Sequence, residues 1–325
     1  MAPARSGVAR YEASPNIALV KYWGVRDEAR ALPFNSSLSV TLDRLRTRTQ
    51  VRFDPGLSSD TLELNGRPAA EPARRSVSLF LDRVRAESGR RERAAVRTTN
   101  NFPTASGLAS SASGFAALAG AATAAAGLRR TPLQLSQLAR FGSGSASRSI
   151  FGGFVEWRAG RRPDGRDCYA KPLFGPSHWP GLRDLVVLVE GAPEKEVRSA
   201  VAMQTTVRTS PDFAERQREV PRRLSAIRRA IAHRDPEALF PAVMEECDSF
   251  RRVCETTRPS LNYLTSTSRS VLKEVRAVNE ESGRSVAAYT HDAGAHVHVF
   301  VQRKDAASLR RRLGRLVGVR QVLLL

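Results

Sequence analysis

Cysteine and aromatic residues are scarce in this sequence, and each shortage argues against a class of protein. The three cysteines, Cys168, Cys247 and Cys254, are an odd number and lack the spacing of a zinc site. A disulfide framework is therefore not expected, and free thiols in a reducing compartment are the better interpretation. Aromatic residues make up 6 % of the chain and do not alternate with basic ones, which argues against a surface for single-stranded nucleic acid.

Long apolar runs are missing as well. Outside an alanine-rich stretch at 109–126, which serine and glycine interrupt, no run approaches the roughly 18 apolar residues of a membrane helix. The first sixteen residues contain no apolar segment of the kind found in secretion signals. The sequence therefore predicts a cytoplasmic protein with no membrane partner.

Charge is abundant but mostly of one sign. The formal net charge is +20, and only five of the 52 basic side chains are lysine. Such a surface attracts phosphorylated small molecules and nucleic acids alike. Because the arginines are spread over nearly every segment, with richer clusters at 83–97 and 303–315, we interpret them as a solvated surface and expect no nucleic-acid partner.

Periodicity and turn residues predict the elements in outline. Residues 158–180, polar and rich in glycine and proline, are predicted to form a boundary loop. The predicted strands are 14–20, 35–42, 47–53, 61–64 (in a hairpin), 94–99, 152–158, 185–190, 285–289, 296–302 and 320–325. The predicted helices are 76–87, 109–126, 131–141, 211–233 (interrupted at Pro221), 235–250, 260–282 and 306–313.

Residues 98–115 carry the strongest functional signal. A strand-like run leads through glycine, serine and threonine into the alanine-rich stretch, which has high helix propensity. A helix that begins in such a loop presents free backbone N–H groups and can bind phosphate. The pattern is equally typical of a well-capped core helix, and composition alone favours neither interpretation. It is neither a Walker-A loop nor a GxGxxG fingerprint.

Several longer strings stand in order along the chain. They are SPNIALVKYWGVRDEARALPFNSSLSVTL at 14–42, NNFPTASGLASSASGFAALAGA at 100–121, ARFGSGSASRSIFGGFVEW at 139–157, the weaker VRSAVAMQTTVRTSP at 197–211, and AAYTHDAGAHVHVF at 287–300. Together they resemble the mevalonate diphosphate decarboxylases, a branch of the GHMP kinase superfamily. The resemblance spans most of the chain.

The resemblance implies an α+β, two-lobed GHMP-kinase-type fold with ATP and substrate in the cleft between the lobes. We place an ATP-binding lobe at 1–180 and a C-terminal lobe at 181–325, with the last strand a candidate to return to the first lobe. The implied reaction uses ATP and Mg²⁺ to phosphorylate the tertiary hydroxyl of mevalonate diphosphate. Loss of that phosphate with carbon dioxide then gives isopentenyl diphosphate. Relatives are commonly homodimers, so a second copy is an expected partner.

The resemblance also assigns the site residues. Asp292 matches the catalytic aspartate, which would orient the hydroxyl or take its proton; without the resemblance, an Asx-type turn would be the better interpretation. Lys21 would neutralise developing charge, and Arg148 would hold the substrate carboxylate. The residues matched to substrate contacts are Asn16 (which would also orient Arg148), Tyr22, Ser143, Ser145, Arg148 and Ser199. Those matched to ATP are Asn101, Phe102, Pro103, Thr104, Ala105, Ser106, Gly107, Leu108, Ala109, Ser110 and Ser111, with Ser111 nearest the metal.

Two departures keep alternatives open. Family members usually carry a lysine at the position of Val25 and often Arg or Thr at that of Ala200, and both groups are expected near phosphates. A phosphomevalonate decarboxylase and a mevalonate 3-kinase therefore remain alternatives, although the presence of both Lys21 and Asp292 favours a decarboxylase. The remote alternative is a basic nucleic-acid-binding protein on an inactive kinase scaffold.

Three histidines near the end of the chain raise the question of a metal. His296 and His298 alternate in a predicted strand and would share a face, with His291 close by. Zinc would need a third ligand, and none is evident from the spacing. The only metal that we expect is the magnesium that arrives with ATP.

Overall fold

The structure, a computed structural model, describes residues 7–102, 110–191 and 199–325. Within these ranges no helix is long and apolar enough to cross a membrane. The strands are β1 Val8–Ala13, β2 Asn16–Val20, β3 Val25–Asp27, β4 Leu32–Pro33, β5 Ser37–Thr41, β6 Thr47–Asp54, β7 Thr61–Leu64, β8 Arg67–Pro68, β9 Arg93–Asn100, β10 Phe154–Trp157, β11 Ala170–Phe174, β12 Leu182–Val189, β13 Ala287–Thr290, β14 Val297–Gln302 and β15 Val319–Leu324. The helices are α1 Glu71–Ser88, α2 Ser110–Ala125, α3 Pro132–Ala139, α4 Ser199–Thr209, α5 Phe213–His233, α6 Pro236–Glu255, α7 Ser266–Ser282 and α8 Arg303–Leu313, with a 3-10 helix at Gly144–Ile150.

Three principal sheets organise the molecule, together with the short β3–β4 pair. The first lobe holds a five-stranded sheet in the order β1-β6-β9-β7-β8 and a four-stranded sheet in the order β11-β10-β5-β2. The second lobe holds one four-stranded sheet in the order β13-β14-β12-β15. The observed fold is therefore the predicted α+β, two-lobed architecture.

Helix α2 packs on the five-stranded sheet through small side chains. Its alanines are almost all buried, and they form one apolar cluster with inward-facing residues of β6, such as Val51 and Phe53. Gly120 marks the closest approach, because a Cβ atom there would lie 2.3 Å from the ring of Tyr11 on β1. The alanine-rich composition thus allows a helix to lie directly against a sheet, and it fixes where the N-terminus of α2 points.

The two lobes share one apolar core. Every residue of β2 is buried, and Ile17 and Leu19 belong to the same cluster as Val220 of α5, Phe240 of α6 and Phe300 of β14. Strand β2 lies at the edge of its sheet, so its outer side is available to the second lobe. This packing places the C-terminal end of β2 at the junction of the lobes.

The structure corrects several predictions. Helix α5 continues through Pro221, because its buried side, which includes Leu224 and Ile227, offsets the backbone hydrogen bond that proline removes. The stretch 158–180 is not only a loop, since it contains β11, which pairs with β10. Helix α7 begins six residues later than predicted, where Thr265 forms a capping box with Ser268.

The end of the chain and three short elements also differ from prediction. Strand β15 pairs with β12 and does not return to the first lobe. Strand β1, helix α4 and the 3-10 helix were not predicted. The last of these is rich in serine and glycine, a composition that favours a loop.

Candidate active site

The C-terminal end of β2 carries a lysine that meets an aspartate of the second lobe. Lys21 Nζ lies 2.8 Å from Asp292 Oδ1 and donates a second hydrogen bond of 2.7 Å to the carbonyl oxygen of Ala18. The Lys21 side chain is 2 % exposed, whereas that of Asp292, in the turn between β13 and β14, is 35 % exposed. The pair therefore joins the two lobes and leaves the carboxylate open to a ligand.

The main chain of Lys21 is fixed by the second lobe. Its N–H donates to Glu246 Oε1 at 2.9 Å, and its carbonyl oxygen accepts from Arg216 at 3.3 Å. Arg216 and Glu246 themselves form an ion pair of 2.5 Å and are almost fully buried. Asn35 donates a further hydrogen bond of 2.9 Å to the same carbonyl. The position of the ammonium group is thus set by a rigid, hydrogen-bonded support.

Arg148 lies in the same region, on the 3-10 helix. Its guanidinium donates to Asn16 Oδ1 at 3.1 Å, to Ser39 Oγ at 2.9 Å and to Ser37 Oγ at 2.5 Å. Asn16 is held in turn by a 2.8 Å hydrogen bond to Ser149 Oγ. No carboxylate among the described residues forms an ion pair with Arg148, so its charge is available to an anionic ligand.

Tyr22 and the serines that precede Arg148 lie together on one side of this region. The Tyr22 ring meets Trp157 edge to face, with 4.9 Å between the ring centroids. Gly144 permits this contact, because a Cβ atom there would lie 2.6 Å from the Tyr22 ring. The hydroxyl groups of Ser143 and Ser145, on either side of Gly144, lie 3.2 Å apart. The structure therefore brings the predicted residues Tyr22, Ser143 and Ser145 together.

The protonation states suit a site for anions. Burial would raise the pKa of Asp292, but the Lys21 ammonium outweighs it and holds that pKa below its usual value, so Asp292 is ionised at neutral pH. Burial lowers the pKa of Arg148 to about 10, which leaves the guanidinium charged. Burial also raises the pKa of Tyr22, which therefore remains a hydroxyl donor.

The three histidines have separate surroundings. His298 Nδ1 lies 2.7 Å from Asp184 Oδ2, and His296 Nδ1 accepts from the N–H of Val189 at 3.2 Å. His291 Nδ1 donates to the carbonyl oxygen of Asp292 at 2.8 Å and so helps to shape the turn that carries Asp292. In the part of the chain that the structure describes, no three histidine, cysteine or acidic side chains form a group that could hold a metal ion.

Only part of the predicted ATP loop falls within the described residues. The predicted contacts Pro103, Thr104, Ala105, Ser106, Gly107, Leu108 and Ala109 lie outside them. Asn101 uses its side chain to bond the main chain of Arg44 and Arg46, at 3.0 and 2.7 Å, and Phe102 is buried in the shared core. Ser110 and Ser111 form the first turn of α2, where Ser111 is exposed.

Helix α4 carries Ser199 at its first position. The helix is attached next to β2, because Trp23 Nε1 donates to Thr206 Oγ1 at 3.0 Å. Ser199 is half-buried and Ala200 is exposed. Val25 packs against the apolar cluster around Trp23. The cluster thus uses Val25 for packing, where a lysine would add a charge.

Apart from Asn16, the residues that support Lys21 and Arg148 were missing from the sequence prediction. Ser37 and Ser39 alternate along β5, and that alternation was interpreted only as a strand pattern. Both are buried, and Ser39 is in register with Ala18 of β2, which has the predicted site residue Asn16 two positions away. Polar residues on a strand that pairs with a site strand are the signal that could have identified them. Glu246 and Arg216 offered no such signal, because they lie on helices far away in sequence.

A buried guanidinium and an ammonium–carboxylate pair at the junction of two lobes define a small-molecule enzyme with the GHMP kinase fold. Comparisons with known proteins specify it further. The model of the diphosphomevalonate decarboxylase-like N-terminal domain matches residues 13–170. The model of the mevalonate 5-diphosphate decarboxylase C-terminal domain matches residues 185–322. The chain belongs to the diphosphomevalonate decarboxylase family.

Individual relatives agree with this assignment. The diphosphomevalonate decarboxylase mvd1 of Aspergillus fumigatus is 41 % identical over 90 % of this chain and 76 % of its own length. The enzyme of Bos taurus is 41 % identical over 88 % of this chain and 74 % of its own. A solved structure described as MDDEF in complex with MVAPP, AMPPCP and magnesium has a TM-score of 0.91 at 36 % identity, covering 98 % of this chain and 95 % of that one.

Proposed function

We propose that this protein catalyses the ATP-dependent decarboxylation of mevalonate diphosphate to isopentenyl diphosphate in isoprenoid biosynthesis. The observation that carries the proposal is the 2.8 Å pair of Lys21 and Asp292 across the lobes, with the Arg148 guanidinium buried nearby. The reaction needs a group that activates a tertiary hydroxyl and a group that locates a carboxylate, and these three residues supply them. Family membership supports the same substrate.

Asp292 would accept a hydrogen bond from the substrate hydroxyl while that oxygen attacks the γ-phosphate of ATP. Because Lys21 lowers its pKa, the carboxylate is a weak base, so it would orient the hydroxyl first and take its proton as the new O–P bond forms. Lys21 would stabilise negative charge on the transferred phosphoryl group. Catalysis of this kind depends mainly on positioning, which the fixed main chain of Lys21 provides.

Arg148 would hold the substrate carboxylate by a planar, permanently charged fork. After phosphorylation the C–O bond breaks and phosphate leaves with its electron pair. The carbon–carboxylate bond then breaks, its electrons form the double bond, and carbon dioxide leaves. We assign further substrate contacts to Asn16, Tyr22, Ser143, Ser145 and Ser199.

The N-terminus of α2 would receive the nucleotide phosphates, with Asn101 to Ser111 as the loop around them. Magnesium would arrive with ATP and offset the negative charge of its phosphate groups. Ser111 fits this ion, because its hydroxyl is exposed on the first turn of α2 and oxygen is the ligand that magnesium prefers.

A substrate panel tests the proposal. Mevalonate, its monophosphate and its diphosphate are each incubated with ATP and magnesium, and ADP and carbon dioxide are measured together. We expect equal amounts of both products from the diphosphate alone. Release from the monophosphate would make the enzyme a phosphomevalonate decarboxylase and Val25 and Ala200 its specificity positions. ADP without carbon dioxide would indicate a 3-kinase, and neither product would favour a nucleic-acid-binding scaffold.

We further propose two lobes that divide near residue 180, a homodimer and a cytoplasmic location. The family models leave residues 171–184 unmatched, which supports the division. Cys168, Cys247 and Cys254 are all buried free thiols, which is typical of a reducing compartment. Light scattering tests the dimer, since the monomer has a mass of 35.6 kDa.

A further inference from the structure

Five arginines line a cavity that the proposed reaction does not use. The cavity has a volume of about 730 Å³ and lies between α8, β15 and the turn after β5. Its arginines are Arg44, Arg183, Arg303, Arg310 and Arg311. Arg303 directly follows the last residue of β14, whereas the turn that carries Asp292 comes before the first residue of the same strand. Six residues of strand therefore separate the two regions along the sheet, about 20 Å.

The five guanidinium groups have no acidic partner. Among the described residues, no carboxylate lies within 4.0 Å of any of them, whereas some surface arginines elsewhere form ion pairs. The contrast is sharpest within α8, where Arg312, next to Arg311, forms ion pairs with both Glu274 and Glu281. The positive charge of the cavity is thus uncompensated, while the neighbouring face of the same helix is neutralised.

Three of these guanidinium groups are oriented by main-chain carbonyls. Arg44 donates to Leu324 O at 3.3 Å, Arg310 to Val322 O at 3.0 Å, and Arg183 to Pro180 O at 2.8 Å. Carbonyl contacts fix a side chain without removing its charge. Arg303 and Arg310 lie on one face of α8, seven residues or about 10 Å apart. Two guanidinium forks on one face of a helix, with that of Arg310 already oriented, suit a ligand with more than one phosphate group.

An apolar groove of about 500 Å³ adjoins the cavity and shares Arg44, Arg310 and Leu324 with it. Its remaining walls include Leu45 and Phe102, together with the last residues of the chain described here, 323–325. A charged cavity that opens into an apolar groove is suited to a molecule with an anionic head and a hydrocarbon tail. The cavity itself has no aromatic residue on which a nucleotide base could stack.

We propose that this cavity and groove form a second binding site, for a small organic diphosphate. The arginines bind the diphosphate group, and the hydrocarbon part lies along the leucines of the groove. The cavity arginines are independent of Lys21, Arg148 and Asp292, and the groove shares only Asn101 and Phe102 with the proposed ATP loop. Binding that depends on the cavity arginines can therefore be tested separately from the proposed reaction.

The test is calorimetric titration of the full chain with decyl diphosphate and with inorganic diphosphate. The cavity variant is Arg303→Ala/Arg311→Ala, which removes two exposed cavity arginines. The matched control is Arg315→Ala/Arg320→Ala, which removes the same charge from exposed positions in the same region that do not line the cavity. Thermal melting of all three proteins verifies that they are folded. Vesicles containing phosphatidylglycerol and a short RNA serve as alternative anions.

We expect decyl diphosphate to bind at least about tenfold more tightly than inorganic diphosphate, because only the former fills the groove. The cavity variant should bind decyl diphosphate at least about tenfold more weakly than the wild type, and the control should keep wild-type affinity. Equal loss in both variants, or no binding at all, would overturn the proposal. So would tighter binding of the vesicles or the RNA with the same dependence on Arg303 and Arg311.

Discussion

Asp292→Asn and Lys21→Met remove the two halves of one ion pair, yet the structure predicts unequal effects on stability. Asparagine leaves the Lys21 ammonium in place, 2 % exposed, with only neutral oxygens as partners, those of the Ala18 carbonyl and of the new amide. Methionine leaves a carboxylate that is 35 % exposed and close enough to Arg148 to be stabilised by it. Water can therefore solvate the orphaned carboxylate but not the orphaned ammonium.

The magnitude follows from the geometry. At 2.8 Å and an effective dielectric constant of about 20, the pair interaction is about 6 kcal/mol, and in bulk water it would be about 1.5 kcal/mol. Screening at the exposed carboxylate places the real value between these limits. We expect Asp292→Asn to lower the free energy of unfolding by about 3 kcal/mol and Lys21→Met by about 1 kcal/mol. Both should lower kcat by at least about 100-fold.

Urea unfolding at pH 7 measures the free energies of unfolding. The double variant Lys21→Met/Asp292→Asn completes a double-mutant cycle, which gives the interaction energy of the pair. Because the double variant buries no unpaired charge, it should be more stable than Asp292→Asn alone. Binding of an ATP analogue, which we assign mainly to the loop before α2, should survive in all three. If Asp292→Asn proved as stable as the wild type and kept its turnover, both the electrostatic reasoning and the assigned role would fail.

Three further predictions concern the residues around the pair. Glu246→Gln should cost about 3–5 kcal/mol in urea unfolding, since it leaves Arg216 buried and unpaired; a loss below 1 kcal/mol would contradict this. Arg148→Lys should lower kcat by at least about 100-fold with ATP-analogue affinity unchanged, because one ammonium cannot replace a fork held by three side chains; near-normal kcat would refute the carboxylate role. Burial lowers the pKa of His291 to about 4, so the unfolded chain takes up this proton first as the pH falls below about 6.5. The wild type should therefore lose about 3 kcal/mol more stability than His291→Asn between pH 7 and pH 4, and parallel pH curves would contradict the assignment.

The sequence could nominate candidate site residues but not the way they are held. Lys21 and Asp292 are 271 positions apart, and neither pattern nor spacing joins them; only the resemblance to a family did so. Without that resemblance, Asp292 would have been interpreted as a residue of an ordinary turn. The elements around the site were mostly predictable, because periodicity and capping report local energetics, as at Thr131, whose capping box with Gln134 begins α3.

The incorrect secondary-structure predictions have a different physical cause, namely contacts between segments that are distant in sequence. Helix α5 runs through Pro221 because tertiary packing outweighs a local penalty, which no window of sequence contains. The 3-10 helix that carries Arg148 has the composition of a loop and is held by long-range hydrogen bonds to β2 and β5. Both errors arise where contacts between distant segments decide the local backbone.

Those long-range contacts also determine which part of the site is rigid. Four hydrogen bonds tie the end of β2 to the second lobe, because Thr290 bonds Ala18, Glu246 and Arg216 bond the Lys21 main chain, and Asp292 bonds its ammonium group. Hinge motion between the lobes at this point would break all four together and expose a buried ion pair. The charges of Lys21 and Asp292 are therefore preorganised before substrate arrives, and the exposed Ser111 on α2 lies outside this network of hydrogen bonds.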